Sequence, residues 1–132
     1  GTGSDKISGN ADDDLLIAGS TSYDAVDTAL TAILAEWNST RSYADRVKNL
    51  RGDAASTTFA ARANGNFFLA VDGSHGRAVT VFDDGVKDVL TGDSGQDWFL
   101  FNADGDHDAT KDKVTDLRAS EFEDDLDFIL GL

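Results

Sequence analysis

The sequence contains no cysteine, no proline and no methionine, and only 11 of its 132 residues are lysine or arginine. Without cysteine, the chain forms neither disulfides nor thiolate zinc sites. No segment approaches the roughly 20 apolar residues of a membrane span, and the first residues lack the apolar core of a signal peptide. The scarcity of basic residues argues against binding to nucleic acids or anionic membrane surfaces. The missing methionine is expected of a fragment of a longer protein.

Glutamate is also scarce, since 22 of the 25 acidic residues are aspartate. A charged surface made mainly of helices would favour glutamate, which is the better helix former. Aspartate is typical of turns, helix caps and loops that hold cations through oxygen ligands. With 13 glycines and a net charge of −14, the composition predicts repeated polar turns and permits cations as partners.

The charge is unevenly distributed along a chain whose length is that of one domain. Residues 1–19 carry a net charge of −3, residues 20–80 are neutral and residues 81–132 carry −11. This shift predicts a single domain in which the neutral segment is inserted into an acidic, repetitive element. We expect the repeats to occupy residues 1–19 and 81–108, and residues 109–132 to form a C-terminal cap.

The acidic flanks repeat with a period of nine residues. In each flank an aspartate is followed two residues later by a large apolar residue, and the pair recurs nine residues on. The units are Asp5 with Ile7, Asp14 with Leu16, Asp88 with Leu90, and Asp97 with Phe99, and Asp106 continues the aspartate series. The best copy runs from Gly92 to Leu100 and predicts a polar glycine turn followed by a short strand with one inward apolar residue.

These segments resemble the nonapeptide repeats of the hemolysin-type calcium-binding (RTX) family, whose pattern is G-G-x-G-x-D-x-U-x with U a large apolar residue. The resemblance covers residues 1–19 and about 83–108, roughly a third of the chain. The copies depart from the pattern where Asp12 stands in place of a glycine, and where Asp83 and Asp84 replace a glycine pair.

The resemblance implies a mainly β protein with a helical insert, an α+β fold in which nonapeptide half-turns wind into a short parallel β-roll split by a helical hairpin. Two half-turns make one rung, and the U residues fill the space between two parallel sheets. Calcium then lies between stacked turns, takes about 6–8 oxygen ligands and removes the repulsion between carboxylates. Asp106, one full rung after Asp88, is expected to share an ion with it. The implied metal ligands, through carboxylates or nearby carbonyls, are Gly3, Asp5, Gly9, Asp12, Asp14, Asp88, Gly92, Gly95, Asp97, Asp104 and Asp106.

The neutral middle predicts a helical hairpin. Apolar residues in 25–37 follow helical spacing, Ser22 or Asp24 is a candidate cap, and the tryptophan at the end of the segment is expected in the core. A second helix is predicted over 43–50, with serines before it and Gly52 after it. Neither helix is stable alone, so each must bury its apolar face against other parts of the protein.

Two strand-like segments follow the helices. Residues 66–71 and 77–82 are rich in aromatic and β-branched residues, and the polar turn 72–76 between them predicts a β-hairpin. Alternatively, Val79 and Val81 begin the second repeat segment.

The C-terminal stretch carries a second resemblance, to the end of serralysin-type RTX proteins, in residues 97–101, 112–117 and 127–130. In that family the coil ends in a capping strand region that includes the type I secretion signal. The segment from Ser120 to Glu123 has the pattern of a capping box and predicts a short helix. In residues 127–130 an acidic residue is followed by apolar ones, which suits a type I secretion signal. The simpler interpretation of this end is a last strand that covers the open end of the coil, and both can be true, since a solenoid needs a cap.

No catalytic constellation is recognisable, and we expect the protein not to be an enzyme. Ser74 and His75 are adjacent, which is not how a nucleophile and its base are arranged. An EF-hand that begins at Asp104 is excluded, because its sixth position is Ala109 and its twelfth is Thr115.

The resemblance implies a calcium-binding module that folds on Ca²⁺ outside a bacterial cell. Such a module supports the type I secretion and the stability of a larger exported protein, with calcium and the secretion machinery as partners. The alternative is a calcium-dependent adhesion or carbohydrate-binding module with a glycan or cell-surface partner. Exposed Trp98, Tyr23 or Tyr43 beside a calcium site would favour that alternative.

Overall fold

The structure is a computed structural model that describes residues 3–105 and 110–126. The protein is an α+β structure with two helices and parallel sheets. The chain forms two compact units, one from the described residues up to Ser20 and from Phe82 onward, the other from Thr21–Val81. The second unit differs by one residue at each end from the electrically neutral segment of the sequence.

In chain order the elements are β1 (Lys6–Ser8), β2 (Leu15–Ile17), β3 (Ser20–Thr21), α1 (Asp27–Trp37), α2 (Tyr43–Arg51), a 3-10 turn (Phe59–Ala61), β4 (Val81–Phe82), β5 (Val89–Thr91), β6 (Trp98–Phe101), β7 (Lys113–Val114) and β8 (Phe122–Asp125). One sheet has the strand order β1-β5-β7 and another β2-β6-β8, and all pairings within these two sheets are parallel. β3 and β4 form a two-stranded sheet, and the division between the units runs through both strands.

The strands of the two parallel sheets alternate along the chain. Each strand of the second sheet begins nine residues after its predecessor in the first, so the repeat period is the spacing of the strands. We call each such pair a rung: β1 with β2, β5 with β6, and β7 with β8. Because Lys6 pairs with Val89 and Val89 with Lys113, successive rungs are offset by 83 and then by 24 residues.

The core of the first unit lies between the two sheets. It consists of the buried residues Leu16, Ala18, Leu90, Phe99 and Phe101, with Ile7 and Val114 packed against them. Five of these seven occupy the apolar position two residues after the repeat's acidic residue. In β8 that position is Glu123, which is exposed, so the apolar series ends in the third rung.

The helices of the second unit agree with the sequence prediction except at one cap. Ser42 caps α2, since its Oγ accepts a hydrogen bond from the Asp45 backbone N–H at 3.1 Å, and Gly52 ends that helix with φ +80°. At α1 the predicted caps are wrong, because Val26 is the N-cap residue and makes no side-chain capping bond. Asp24 instead accepts hydrogen bonds from both the backbone N–H and the hydroxyl of Thr21.

The predicted hairpin of 66–71 and 77–82 is not formed, since only Val81–Phe82 is a strand there. Between the two segments, the N–H groups of Thr80 and Val81 donate to the Ala70 carbonyl at 2.9 and 3.2 Å, and the Thr80 side chain adds two further hydrogen bonds. Its hydroxyl donates to the Phe68 carbonyl at 2.5 Å and accepts from the Ala70 N–H at 3.0 Å. A side-chain hydroxyl thus satisfies backbone groups that a paired strand would otherwise satisfy.

A buried carboxylate joins the helices of the second unit to the loop that follows them. Glu36 of α1 is fully buried and accepts hydrogen bonds from Ala63 N–H at 2.8 Å and from the Asn49 amide of α2 at 3.2 Å. Arg41 supplies the opposite charge at 3.2 Å. The predicted core position of Trp37 is confirmed, since this residue is buried.

The predicted short helix at Ser120–Glu123 is wrong, because Phe122–Asp125 is the strand β8. Glu121 uses one carboxylate oxygen to accept from the Arg118 backbone N–H and the other to accept from the Asp97 N–H, so it links two rungs rather than capping a helix. The expected secretion-signal segment 127–130 lies outside the described residues. Neither helix in the described part of the chain has the length and apolar character needed to cross a membrane.

Candidate cation-binding turns

An acidic residue stands immediately before each of the six strands of the two parallel sheets. The six residues are Asp5, Asp14, Asp88, Asp97, Asp112 and Glu121. Because the strands stack in register, these residues form two columns, one at the start of each sheet. We call Asp5, Asp88 and Asp112 the first column, and Asp14, Asp97 and Glu121 the second.

Within the first column the carboxylates of Asp88 and Asp112 each bond to the backbone of the preceding rung. Asp88 Oδ1 accepts from the Asp5 N–H at 2.6 Å, and Asp112 Oδ1 accepts from the Asp88 N–H at 2.7 Å. The other oxygen of Asp112 accepts from the Asn102 N–H at 2.8 Å. Carboxylates that accept backbone bonds in this way set the register between rungs that are far apart in sequence.

The second column repeats the arrangement. Asp97 Oδ1 accepts from the Asp14 N–H at 2.8 Å, and Glu121 Oε1 accepts from the Asp97 N–H at a longer 3.4 Å. Both columns therefore place acidic side chains of successive rungs next to each other. Such an arrangement is repulsive unless protons or cations compensate it.

The turns before the second column have the same backbone conformation in the first two rungs. Asn10 and Asp93 occupy equivalent positions with φ of 78° and 67°, and Asp12 and Gly95 do so with φ of 70° and 100°. Asparagine and aspartate are the non-glycine residues that tolerate this left-handed conformation best. Asp12 thus adopts the glycine-like turn, although it departs from the family pattern.

Glycines leave room for the carboxylates in these turns. A Cβ on Gly9 would lie 2.2 Å from Asp14 Oδ2, and one on Gly92 would lie 2.0 Å from Asp97 Oδ2. A Cβ on Gly95 would lie 2.2 Å from the Asp12 carbonyl oxygen of the adjacent rung. The turns are therefore close-packed around oxygen atoms, and a side chain at any of these three positions would displace them.

Burial raises the pKa of several of these carboxyl groups. Loss of hydration, reinforced by neighbouring carboxylates, raises the pKa of Asp97 to about 6. The same cause raises the pKa of Asp112 to about 6. The pKa values of Asp14 and Asp88 are also raised, again chiefly by burial. The ionised columns are therefore electrostatically strained at neutral pH.

The described part of the first unit includes carboxylates with a buried oxygen atom that accepts no hydrogen bond. Among these atoms are the Oδ2 atoms of Asp14, Asp84 and Asp88. Asp88 is only 1% exposed. In the described ranges, no group of three or more His, Cys, Asp or Glu side chains is positioned to hold a metal ion. A bound cation would therefore need backbone carbonyls in addition to these carboxylates.

Most of the ligands that the sequence predicted occur in these turns. Asp5 and Asp88 share one column, Asp14 and Asp97 share the other, and the remaining predicted residues up to Gly95 lie in the turns that lead into them. Asp104 is exposed and precedes none of the strands. Asp106 lies outside the described residues.

The acidic residues of the third rung, Asp112 and Glu121, were not predicted from the sequence. The residue whose carboxylate meets Asp88 is Asp112, 24 residues on, rather than a residue one uninterrupted rung of 18 residues away. The signal was present, because Asp112 and Glu121 are themselves nine residues apart and Val114 follows at the apolar position. The connection from Asp88 to Asp112 is six residues longer than an uninterrupted rung, and this difference obscured the third repeat of the pattern.

The turn of the third rung has a different composition from the turns that it stacks on. Asp116 accepts hydrogen bonds from the N–H groups of Gly92 and Asp93, at 3.0 and 2.7 Å. The Arg118 guanidinium donates to the Gly95 carbonyl at 3.2 Å. A carboxylate and a guanidinium of the chain itself therefore satisfy donors and acceptors of the second turn.

Two of the three aromatic residues whose exposure would favour the adhesion or carbohydrate-binding alternative are buried. Trp98 is fully buried and Tyr43 is buried. The Trp98 indole N–H donates to Asp124 at 2.7 Å. Tyr23 is half-buried and packs edge-to-face with Phe67 at 5.6 Å between ring centroids. Trp98, the aromatic residue within the repeats, is therefore not exposed to stack on a sugar, as the calcium-dependent adhesion alternative would need.

No protein-family model matches the sequence, and no curated protein and no solved structure is significantly similar to it. The resemblance to the RTX family accordingly rests on the repeat residues themselves.

Proposed function

We propose that the protein is a calcium-binding module whose two parallel sheets form a short β-roll of the RTX type. The observation that carries the proposal is the set of buried carboxylate oxygens without hydrogen bonds on Asp14, Asp84 and Asp88, in turns whose stacked acidic residues need positive charge. A buried polar atom without a partner requires an explanation, and an absent ion is one of the few. The oxygen-only chemistry of the turns suits calcium.

The turns of the first two rungs fit a calcium ion at both columns. At the second column, the carboxylate of Asp14 and backbone carbonyls such as that of Asp12 would hold the ion. At the first column, the carboxylate of Asp88 and backbone carbonyls of the adjoining turns would hold it. Burial, and then the charges of Asp84 and Asp5, raise the pKa of Asp88. When bound, the ion supplies the positive charge that stacked carboxylates require.

Arg118 limits the number of ions in this proposal. Its guanidinium donates a hydrogen bond to the Gly95 carbonyl, between the second and third turns. In the family pattern a carbonyl at this position would be a calcium ligand. A resident positive charge at that position makes a calcium ion unnecessary there. We therefore expect calcium at the second column only between the first and second rungs.

Calcium then couples the folding of the module to its surroundings. At low calcium, as in a cytosol, the ionised columns repel and oppose folding, which suits export as an open chain. At about millimolar calcium, sites with affinities of roughly 10⁻⁴–10⁻³ M fill and stabilise only the folded state. The proposal includes a role in type I secretion, an extracellular location and no catalysis, with the rest of the exported protein supplying any activity.

The test is circular dichroism and thermal melting during a calcium titration of exhaustively decalcified protein, with magnesium as the ionic control. We expect a cooperative gain of β signal and of melting temperature at micromolar to millimolar calcium, and little response to magnesium. If the decalcified protein is fully folded and calcium changes neither signal, the proposal is wrong.

A matched pair of variants assigns the effect to the columns. Asp88→Asn keeps the Oδ1 acceptor for the Asp5 N–H but removes the charge, so we expect the calcium midpoint to rise about tenfold or more. Asp27→Asn removes the same charge from an exposed position in α1 and should leave the midpoint unchanged. Equal midpoints in the two variants would contradict calcium binding at the first column.

A further inference from the structure

The second unit contains a cleft that plays no part in the calcium proposal. Its volume is about 300 Å³, and its lining includes Tyr23, Asn66, Phe68, Arg77 and Thr80. This volume is at the small end of the range for ligand sites, so the cleft suits a compact molecule.

Arg77 is held rigidly at this cleft. Its guanidinium carbon lies 4.3 Å from the centroid of the Phe68 ring, and its Nε donates to the Gly52 carbonyl at 3.3 Å. Gly52 makes room for it, since a Cβ there would lie 2.7 Å from Arg77 Cγ. Stacking and one hydrogen bond therefore fix the side chain before any ligand arrives, which lowers the entropic cost of binding.

The surroundings of Arg77 carry an excess of positive charge. Phe59 and Phe68 stack with 6.2 Å between centroids and 7° between planes, and a second guanidinium, that of Arg62, lies 4.0 Å from the Phe59 centroid. Among residues 3–105 and 110–126, neither arginine forms an ion pair with a carboxylate. Two guanidinium groups thus share one aromatic pair, and no acidic side chain neutralises them.

Among the described side chains that line the cleft, the polar groups that remain uncommitted can all donate hydrogen bonds. Within the described part of the chain, the terminal nitrogens of Arg77, the side-chain N–H₂ of Asn66 and the hydroxyl of Tyr23 have no hydrogen-bond partner. The Thr80 hydroxyl is already engaged by backbone groups. A ligand that complements this cleft is therefore rich in acceptors and negatively charged.

We propose that this cleft binds a small organic oxyanion, a carboxylate or a phosphate ester on a compact polar body. The two terminal nitrogens of Arg77 match the paired oxygens of such an anion, as a planar guanidinium does with carboxylates and phosphates. The body of the ligand lies against the half-buried ring of Tyr23, which offers aromatic surface. This inference is independent of calcium binding in the first unit.

The test is an NMR titration of the calcium-saturated, isotope-labelled full chain in a buffer free of carboxylates and phosphates. The ligands are glucuronate, glucose 6-phosphate and glucose, which share a body and differ in charge. We expect the two anions to shift the amide signals of Gly76 and Ala78, which line the cleft, and the Arg77 Nε signal, and we expect glucose to shift none of them. The anion that binds more tightly identifies the preferred oxyanion.

Two variants with the same loss of charge provide the control. Arg77→Gln should weaken anion binding at least about tenfold, whereas Lys48→Gln, on α2 and outside the cleft lining, should leave it unchanged. The proposal fails if glucose binds as well as glucuronate, if no cleft signal moves with either anion, or if Arg77→Gln binds like the native protein. If Arg77→Gln does not fold, the titration of the native protein is repeated at increasing sodium chloride concentrations. Anion binding through the charge of Arg77 must weaken as the salt concentration rises, and binding that does not weaken contradicts the proposal.

Discussion

Acidification should stabilise the decalcified protein and destabilise the calcium-saturated protein. Burial raises the pKa of Asp97 and of Asp112 to about 6, whereas an unfolded aspartate titrates at about 3.9. Between these values the folded state binds more protons than the unfolded state, so the free energy of unfolding falls as the pH rises. The stabilisation is complete below about pH 4 and is lost as the pH rises through about 6. With calcium bound, protons compete with the ion, and the dependence reverses.

The magnitude follows from the two pKa values. From pH 7 to pH 5, each group contributes about 1.3 kcal/mol if its whole shift acts on folding. We halve this figure because the unfolded chain also keeps its aspartates close together in sequence, and their repulsion raises their pKa values in that state too. The pair then contributes about 1.3 kcal/mol, which is nearly a tenfold increase in the ratio of folded to unfolded protein. Asp14 and Asp88, whose pKa values are also raised, act in the same direction.

The assay is urea unfolding at several pH values between 4.5 and 7.5, followed by the fluorescence of Trp98 in a Trp37→Phe background. Buffers are decalcified on a resin, because soluble chelators lose affinity for calcium in acid. Asp97→Asn keeps the acceptor for the Asp14 N–H and should remove about half of the pH dependence. A decalcified protein that becomes less stable as the pH is lowered from 7 to 5 would contradict this prediction, as would an Asp97→Asn variant with the same pH dependence as the native protein. Asp45 and Asp72, whose pKa values are lowered mainly by hydrogen bonds, act only below this range.

Three substitutions and one control test the packing of the first unit and the buried carboxylate of the second. Phe99→Ala should destabilise the protein by about 3–5 kcal/mol in calcium, measured by urea unfolding, because the ring is fully buried between the sheets. Gly92→Ala should cost about 1–3 kcal/mol in the same assay, because its Cβ would meet the Asp97 carboxylate. Gly73→Ala, which meets nothing within 4 Å, serves as the control and should have a near-neutral effect; equal losses in the two glycine variants would contradict the close packing of the turn. Glu36→Ala should destabilise the second unit by about 3–5 kcal/mol, seen in the loss of helical circular dichroism on heating, because it leaves the charge of Arg41 and buried donors unpaired.

The nine-residue period allowed the rungs to be predicted because it is a local property. An acidic residue fixes the turn, and the apolar residue two positions later fixes the face of the strand, so Asp88 and Leu90 specify their half-turn without reference to the rest of the chain. The predictions failed where an interaction was not local. The position opposite Asp88 depends on the length of the connection before Asp112, and no repeat residue encodes that length.

The second unit shows the same limit. Ser42 and Gly52 mark the ends of α2 through local backbone chemistry, and both were predictable. The segment 66–71 has a strand composition but forms no strand, because its backbone hydrogen bonds are divided. The Phe68 carbonyl and the Ala70 N–H bond to the hydroxyl of Thr80, whereas the Leu69 N–H donates to the Leu50 carbonyl of α2. The role of Glu36 was equally hidden, since its partners are a backbone N–H and an amide brought near by folding.

The offset of 83 residues between β1 and β5 also has a consequence for the order in which the protein folds. Pairing these strands directly from the unfolded chain requires the closure of a long loop, and the entropic cost grows with the logarithm of its length. Once the segment Thr21–Val81 has folded, a hydrogen bond of 2.8 Å joins the Ser22 N–H to the Thr80 carbonyl. Most of the loop is then already closed and adds nothing to the entropic cost of pairing β1 with β5. The remaining closure is shorter by nearly two doublings, which saves about 1 kcal/mol. Folding of the inserted unit thus brings β1 and β5 closer together before they pair. We expect variants that weaken this unit, such as Glu36→Ala, to slow the pairing of the first rung with the second.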